Sequence, residues 1–180
     1  MLYIFIIIAI LVVYFISAQR KFISLDEINK NALSQIGVQQ DARWNALMNL
    51  VKAAKSYAEF ERDTLSEIIS KRANIGNESS ADEVNRQENM ITEAISRIVA
   101  VAERYPELKS SEHYKMAMES INTYEDDVKM SKMVYNDTVT KWNRLTRQFP
   151  SSIVASILGF KSKSYLETAE EKKEYPDLEF

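Results

Sequence analysis

Apart from Ser17, hydrophobic residues fill the first 18 positions of the chain, and none of these positions carries a charged side chain. A helix over residues 2–18 would rise roughly 25 Å at 1.5 Å per residue, and Phe22 and Ile23 extend its apolar reach toward the ~30 Å of a bilayer core. The pattern therefore predicts a single membrane span. The residues expected to anchor it are Leu2, Ile4, Phe5, Ile8, Leu11, Val12 and Phe15.

A cleavable signal peptide is the alternative for this run, since Ala18 is a small residue of the kind that a signal peptidase accepts. However, no Lys or Arg precedes the run, and the run exceeds the usual hydrophobic region of about 7–15 residues, so we favour an uncleaved anchor. Arg20 and Lys21 follow the run directly. The positive-inside rule then predicts that the N-terminus lies outside and that the following domain is cytoplasmic.

A second stripe of apolar residues at spacings of three and four runs from Leu25 to about Lys71, interrupted only by Gly37. As one helix it would be about 70 Å long, although Gly37 costs about 1 kcal/mol against Ala and would suit a bend. Ser24 and Glu27 fit a capping box that would start this helix anew. Because no Pro or Gly enforces a break, a joint near Ser24 and a helix continuous with the anchor both remain open.

Three further helices follow from the pattern. Residues 74–80 read as a loop, and Ser80 with Glu83 forms a capping box for a second helix that Pro106 ends. The third helix has spacing typical of a coiled coil, and Pro150 suits the first turn of a fourth. The tail from Tyr165 is predicted to be helical until Pro176. The predicted seam of the third helix is Tyr114, Ala117, Ile121, Tyr124, Val128, Ser131, Tyr135, Thr138, Trp142, Leu145 and Phe149.

Composition supports a nearly all-helical protein and argues against several kinds of partner and functional group. There are only 3 Gly and 3 Pro, far fewer than sheet proteins need for their turns. The net charge of -3 comes from mixed charges without long blocks, so we expect no nucleic-acid partner. With no Cys, the chain has no disulfide, no thiolate nucleophile and no site for lipoprotein acylation.

Candidate catalytic groups are sparse. His113 is the single imidazole, which excludes an ordinary zinc site and leaves a catalytic triad without a visible partner. Residues 125–127, Glu-Asp-Asp, fall on the outward positions of the third helix, where a solvated face is more plausible than acid-base work, although weak magnesium or calcium binding stays open. We therefore expect no enzyme, no cofactor and no resident metal.

The segment from Pro150 to Lys163 offers a second lipid contact. Its apolar face is followed by lysines and would suit anionic lipid, although capping of the bundle is the simpler interpretation. The residues that would form this lipid or capping face are Ile153, Ile157, Leu158, Phe160 and Lys161.

Besides the anchor, short motifs occur along nearly the whole chain: Ser34-Gln-Ile, Val38-Gln39, Asn49-Leu-Val, Tyr57-Ala58, Tyr105-Pro-Glu-Leu-Lys109, Tyr135-Asn136, Trp142-Asn143, Phe149-Pro-Ser, Gly159-Phe160-Lys161 and Tyr165. In these segments the chain resembles the LemA family of bacterial membrane-anchored helical proteins. Gly37 departs from the family pattern, standing where the family usually has an acidic residue, and so does Met48, where a Pro commonly precedes Asn49-Leu-Val.

This resemblance implies an all-α protein in which an N-terminal transmembrane helix is followed by an elongated up-and-down antiparallel four-helix bundle. The chain then divides into an anchor with its basic flank at 1–23, a LemA-like bundle at 24–166 and a charged tail at 167–180. The family has no established enzymatic activity, and some relatives are associated with building specialised bacterial membranes. The expected location is the bacterial inner membrane.

Two functions remain in view. The first is a membrane-anchored scaffold or adaptor that associates with itself and organises the membrane, with the lipid bilayer and further copies as partners. The second is a membrane-tethered regulator that presents a helical surface to an unknown protein partner, such as a membrane protease or a signalling protein. A hydrolase would need a buried polar cluster that the spacing does not supply.

Overall fold

The structure is a computed structural model that describes residues 1–55 and 75–167. Five helices lie in these two ranges and no strand does, which confirms the all-α prediction. The four-helix bundle and the domain boundaries stay predictions, because the extension of the first stripe to Lys71 and the tail beyond Glu167 lie outside the described residues. The helices are α1 (Leu2–Lys55), α2 (Ala81–Arg104), α3 (Pro106–Ser110), α4 (Glu112–Arg147) and α5 (Ser151–Leu158).

Helix α1 joins the apolar run to the first part of the bundle without a break. Ser24 lies inside this helix, so the capping box that would have started a new helix there is not formed. Phe22 is fully buried and Leu25 nearly so, and both belong to one cluster, so the chain on either side of Ser24 packs into the same core. Because neither Pro nor Gly interrupts the hydrogen-bond ladder, the helix continues through the site.

Gly37 also lies within α1, where its small size has a steric reason. A Cβ at this position would overlap the carbonyl oxygen of Ile75, in the loop before α2. Glycine therefore allows the loop to approach the helix backbone closely. The helix runs through Gly37 without interruption.

The second helix begins and ends as predicted. Ser80 Oγ accepts a hydrogen bond from the Glu83 amide at 3.2 Å, and the Glu83 carboxylate accepts one from the Ser80 amide at 2.7 Å, which confirms the capping box. Tyr105 ends the helix. Pro106 then opens the short helix α3, which the sequence pattern did not predict, and Ser111 caps α4 by accepting from the Tyr114 amide.

Helices α1 and α4 form the long axis of the described core and run antiparallel. From Phe22 to Ala54, the buried residues of α1 belong to three successive hydrophobic clusters. The α4 residues of these clusters follow one another in the opposite order along the chain. The predicted seam of α4 is buried or half-buried from Tyr114 to Leu145. Phe149 is the exception, with 76% of its surface exposed, because α4 ends at Arg147 and the heptad register ends with it.

The cluster nearest the anchor is called the basal cluster below. Its buried members come from α1, α4 and α5, so three helices meet just beyond the apolar run. They are Phe22, Leu25, Trp142 and Ala155, with Leu145 and Phe160 packed against them.

The chain after α5 is not helical, contrary to prediction for Tyr165 and the two residues that follow it. Gly159 ends α5 with φ 72°, a left-handed conformation that favours glycine. Residues 160–167 then lie along α4 in irregular, non-helical form. We call residues 159–167 the strap. Most of the hydrogen bonds that hold its backbone, described below, are made by side chains of α4, which explains why local helix propensity does not decide its structure.

Candidate membrane interface

The N-terminal part of α1 makes an apolar surface with little support from the rest of the molecule. Every residue from Leu2 to Val13 is exposed. Six of the seven predicted anchor residues are among them, and Phe15 is half-buried. By length and composition this helix can cross a membrane. Water is an unfavourable environment for such a continuous apolar surface, and a bilayer is a favourable one.

Aromatic rings close the bundle at the point where the apolar run ends. The ring centroids of Phe22 and Trp142 lie 5.1 Å apart with an edge-on geometry, and Phe160 lies 4.9 Å from Phe22 and 5.2 Å from Trp142. The Trp142 indole donates to the Lys161 carbonyl at 2.7 Å. The three rings thus join α1, α4 and the strap, and Phe160, predicted to face lipid or cap the bundle, is a core contact.

A charged group lies beside these rings. Lys163 Nζ donates to Asp26 at 2.6 Å and lies 4.6 Å from the centre of the Trp142 ring. Lys30 approaches the same carboxylate at 3.1 Å. Partial burial raises the pKa of Asp26. The hydrogen bonds and positive charges of Lys163 and Lys30 together lower it by more, so the pKa lies below its ordinary value.

Two asparagines of α4 hold the strap by its backbone. Asn143 donates to the Lys163 carbonyl at 2.9 Å and accepts from the Lys163 amide at 2.8 Å. Asn136 makes the same pair of bonds with Leu166, at 2.8 and 2.9 Å. The two asparagines are seven residues apart and therefore lie on one face of α4. Each asparagine side chain thus pairs with both the backbone N–H and the backbone C=O of one strap residue, as an adjacent β-strand would.

Further bonds continue this pattern toward the end of the described chain. Tyr135 donates its hydroxyl proton to the Ser164 carbonyl at 3.3 Å, and Lys132 donates to the Glu167 carbonyl at 2.7 Å. Lys132 also pairs with the Glu88 carboxylate of α2. Burial raises the pKa of Tyr135, so its hydroxyl remains a donor over the ordinary pH range.

The strap bonds are the part of the interface that our sequence reasoning missed. The signal was present: Tyr135-Asn136, Trp142-Asn143 and Gly159-Phe160-Lys161 were noted for the family resemblance, but no role was assigned to them. The structure places all three segments along the strap: Trp142-Asn143 and Gly159-Phe160-Lys161 lie at the basal cluster, and Tyr135-Asn136 holds the far part of the strap.

Helix α5 divides the remaining predicted lipid-facing residues. Its buried side carries Val154 and Ala155, and Ala155 belongs to the basal cluster. Ile153 and Ile157 point away from the core with 52% and 66% of their surfaces exposed, while Leu158 is half-buried. Lys161 is exposed, as are the predicted topology residues Arg20 and Lys21. The helix therefore caps the bundle with one side and leaves an apolar ridge on the other.

The other candidate groups lie away from this end. His113 is exposed in the first turn of α4. Residues 125–127 are exposed as predicted, and Glu125 pairs with the buried guanidinium of Arg43 at 2.5 Å. Burial lowers the pKa of Arg43, although it remains a cation. Across residues 1–55 and 75–167, no cluster of His, Cys, Asp or Glu has an arrangement that could hold a metal ion.

Comparison with known proteins decides the family. A profile described as LemA family matches residues 32–180, most of the chain. This protein belongs to the LemA family. The matched LemA region contains α4, α5 and the strap, so the asparagine contacts lie inside it, whereas the apolar run precedes it.

Three named proteins are similar to this chain, and one of them is called LemA. Protein LemA of Metamycoplasma hominis is 27% identical over 172 residues, which cover 92% of this chain and 77% of that protein. Magnetosome protein MamQ 2 of Paramagnetospirillum magneticum is 32% identical over 74 residues, 41% of this chain and 27% of its own length. Magnetosome protein MamQ of Magnetospirillum gryphiswaldense is 31% identical over 72 residues, 40% of this chain and 26% of its own length.

Proposed function

We propose that this protein is a membrane-anchored helical scaffold that associates with itself and organises the membrane around it. The anchor spans the bacterial inner membrane with the N-terminus outside and the bundle in the cytoplasm. The observation that carries the proposal is the continuity of α1 from Leu2 to Lys55. A helix without a joint holds the bundle at a fixed angle to the span, which is what a scaffold requires.

Packing at the membrane end supports this rigid arrangement. Phe22 is fully buried four residues beyond the apolar run, and the strap ties α4 to the same level of the molecule. The exposed apolar surface of the span and the LemA assignment add further support. Similarity to two magnetosome proteins covers only 41% and 40% of the chain and supports the membrane-organising part to that extent.

An exposed patch on α4 is the candidate surface for self-association. Met130, Met133 and Val134 share one turn of the helix and expose 62%, 55% and 46% of their surfaces. Residues three and four apart are neighbours on a helix, so these side chains form a single apolar patch. Burial of this patch between copies would remove it from water.

The test is the mass of the complex extracted from membranes in a mild detergent and kept intact. We expect a homo-oligomer, which the double variant Met133→Glu with Val134→Glu shifts toward monomer. Thr123→Glu, at an exposed position on the same helix, is the matched control and should leave the oligomer unchanged. A stoichiometric complex with another protein would instead favour the tethered regulator, and a lone monomer would contradict both.

A further inference from the structure

We propose that the bundle makes a second, peripheral contact with the membrane, in which α5 and the preceding Phe149 insert into the headgroup layer of an anionic leaflet. The inference rests on the proposed anchoring by α1 and adds a lipid-binding surface to it. Three observations carry it: the level of α5 relative to the span, its exposed ridge, and the distribution of charge along the chain.

The level of α5 is set by its packing against α1. Ala155 shares the basal cluster with Phe22 and Leu25. Phe22 lies 20 residues beyond Leu2, which corresponds to about 30 Å along the helix axis and therefore to the thickness of the hydrocarbon core. The polar layer of the leaflet extends roughly 5–7 Å beyond that boundary. An upright span therefore places α5 among the lipid headgroups.

The outward side of α5 has the form expected of an interfacial helix. Ile153 and Ile157 lie four residues apart on α5 and expose 52% and 66% of their surfaces, and Phe149, which precedes the helix, exposes 76%. The two isoleucines form an apolar ridge on the part of α5 that the core leaves uncovered, whereas Val154 and Ala155 are buried. An amphipathic helix at this level can immerse its apolar side between the headgroups.

Charge is separated along the chain so that this end of the bundle is basic. Residues 1–25 and 138–166 contain no Asp or Glu, although the whole chain has 26. Lys141 and Lys163 pair with nearby carboxylates. The other five cations of these segments make no ion pair within the described residues, and each is exposed: Arg20, Lys21, Arg144, Arg147 and Lys161. Such an excess attracts anionic lipid at the cytoplasmic surface.

The experiment uses the whole protein, since the absence of native Cys allows one spin label at a time. Labels are placed at Ile153→Cys and Ile157→Cys in protein reconstituted into vesicles of phosphatidylcholine with phosphatidylglycerol. Collision rates with oxygen, which concentrates in lipid, are compared with those of a water-soluble nickel complex. Two controls use the same chemistry: Ile10→Cys reports on the span, and Met116→Cys on a distant exposed apolar position of α4.

We expect the oxygen-to-nickel ratio at positions 153 and 157 to exceed that at position 116 several-fold, because an inserted interfacial helix places these side chains in lipid, where oxygen concentrates. A ratio equal to that at position 116, with position 10 still exposed to lipid, would overturn the inference while leaving the anchor intact. Low collision rates with both reagents would mean that a second copy covers the ridge, which also overturns it. Water exposure at position 10 would overturn the anchor itself, and this inference with it.

The requirement for anionic lipid is tested separately. In vesicles of phosphatidylcholine alone, the ratio at position 157 should fall toward that at position 116. The variant Arg144→Gln with Arg147→Gln should produce the same fall in the anionic vesicles, whereas Lys129→Gln on the same helix should not. Equal ratios in both lipids and in all three proteins would overturn the role of anionic lipid.

Discussion

At Gly37, two opposing effects predict different signs for the same substitution. Ala favours a helix interior over Gly by about 1 kcal/mol, but its Cβ would overlap the Ile75 carbonyl oxygen. Because that neighbour is backbone, relief requires the loop to move, at a cost of about 1–3 kcal/mol. We therefore expect Gly37→Ala to lower the melting temperature of the detergent-solubilised protein.

Gly76 supplies the matched control, since an added Cβ there meets no atom within 4 Å. Gly76→Ala should change the melting temperature little. If Gly37→Ala stabilised the protein instead, the close approach of the loop before α2 to α1 would be wrong.

Asn143 should determine whether the strap stays on α4. Asn143→Ala leaves the amide and carbonyl of Lys163 without their partner, which costs about 1–2 kcal/mol for a partly buried pair. We expect faster amide hydrogen exchange in residues 159–167, measured by mass spectrometry. Asn143→Asp keeps the acceptor and loses the donor, so its exchange should be intermediate, and exposed Asn122→Ala should have no effect on the strap.

Asp26 predicts a pH dependence of stability. Its pKa in the folded protein lies below the ordinary value of 3.8, so its ion pair stabilises the fold fully above about pH 5, and the contribution is lost as pH falls through the lowered pKa. Asp26→Asn should therefore be less stable than the original chain from about pH 5 to 8. Unfolding by denaturant at a series of pH values should show this difference closing below pH 3.8. A difference that persisted there would contradict an ionic role.

At the scale of elements, the continuity of α1 makes proline at its midpoint disruptive. Ser24→Pro would remove one hydrogen bond and force the ring against the preceding turn, costing about 3 kcal/mol. Ser24 is exposed, so no buried side chain is lost, and Ser24→Ala is the control. Hydrogen exchange over residues 19–30 should accelerate in the proline variant alone. Unchanged exchange would mean that a helix start near Ser24 is tolerated.

The two capping boxes show what local sequence can and cannot predict. Ser80 with Glu83 forms a real cap because a loop precedes it, while the same signature at Ser24 lies inside a helix. What differs is remote: Phe22 and Leu25 pack against α4 and α5, and these contacts outweigh the local signal. The heptad spacing likewise predicted the buried seam of α4 correctly up to Leu145. It failed at Phe149, because the helix ends at Arg147.

The strap marks the limit of prediction for the interface. A helix can be predicted from sequence because each residue bonds to its own neighbours, whereas the α4 side chains that hold the backbone of the strap lie 19 to 35 residues earlier in the chain. Composition predicted the apolar run, and motif resemblance indicated Asn136 and Asn143. Neither signal could indicate that these asparagines bind the backbone amide and carbonyl groups of the strap, which a helix would otherwise have paired.

For the molecule as a whole, the structure combines an exposed apolar helical run, an adjoining end with an excess of basic residues and an antiparallel α1–α4 axis. Their alignment depends on α1 being one rigid rod, since a joint would let the bundle tilt and would detach α5 from the headgroup level. The scaffold proposal and the lipid-contact inference both depend on this continuity.

The most direct measurement is a distance across the membrane boundary on α1. Spin labels at Ile16→Cys and Val38→Cys, both exposed positions, are separated by 22 residues, or about 33 Å along a continuous helix. Pulsed electron resonance on labelled protein diluted with unlabelled protein in vesicles should give one narrow distribution near that distance. A broad or clearly shorter distribution would contradict the continuous helix and, with it, the rigid scaffold.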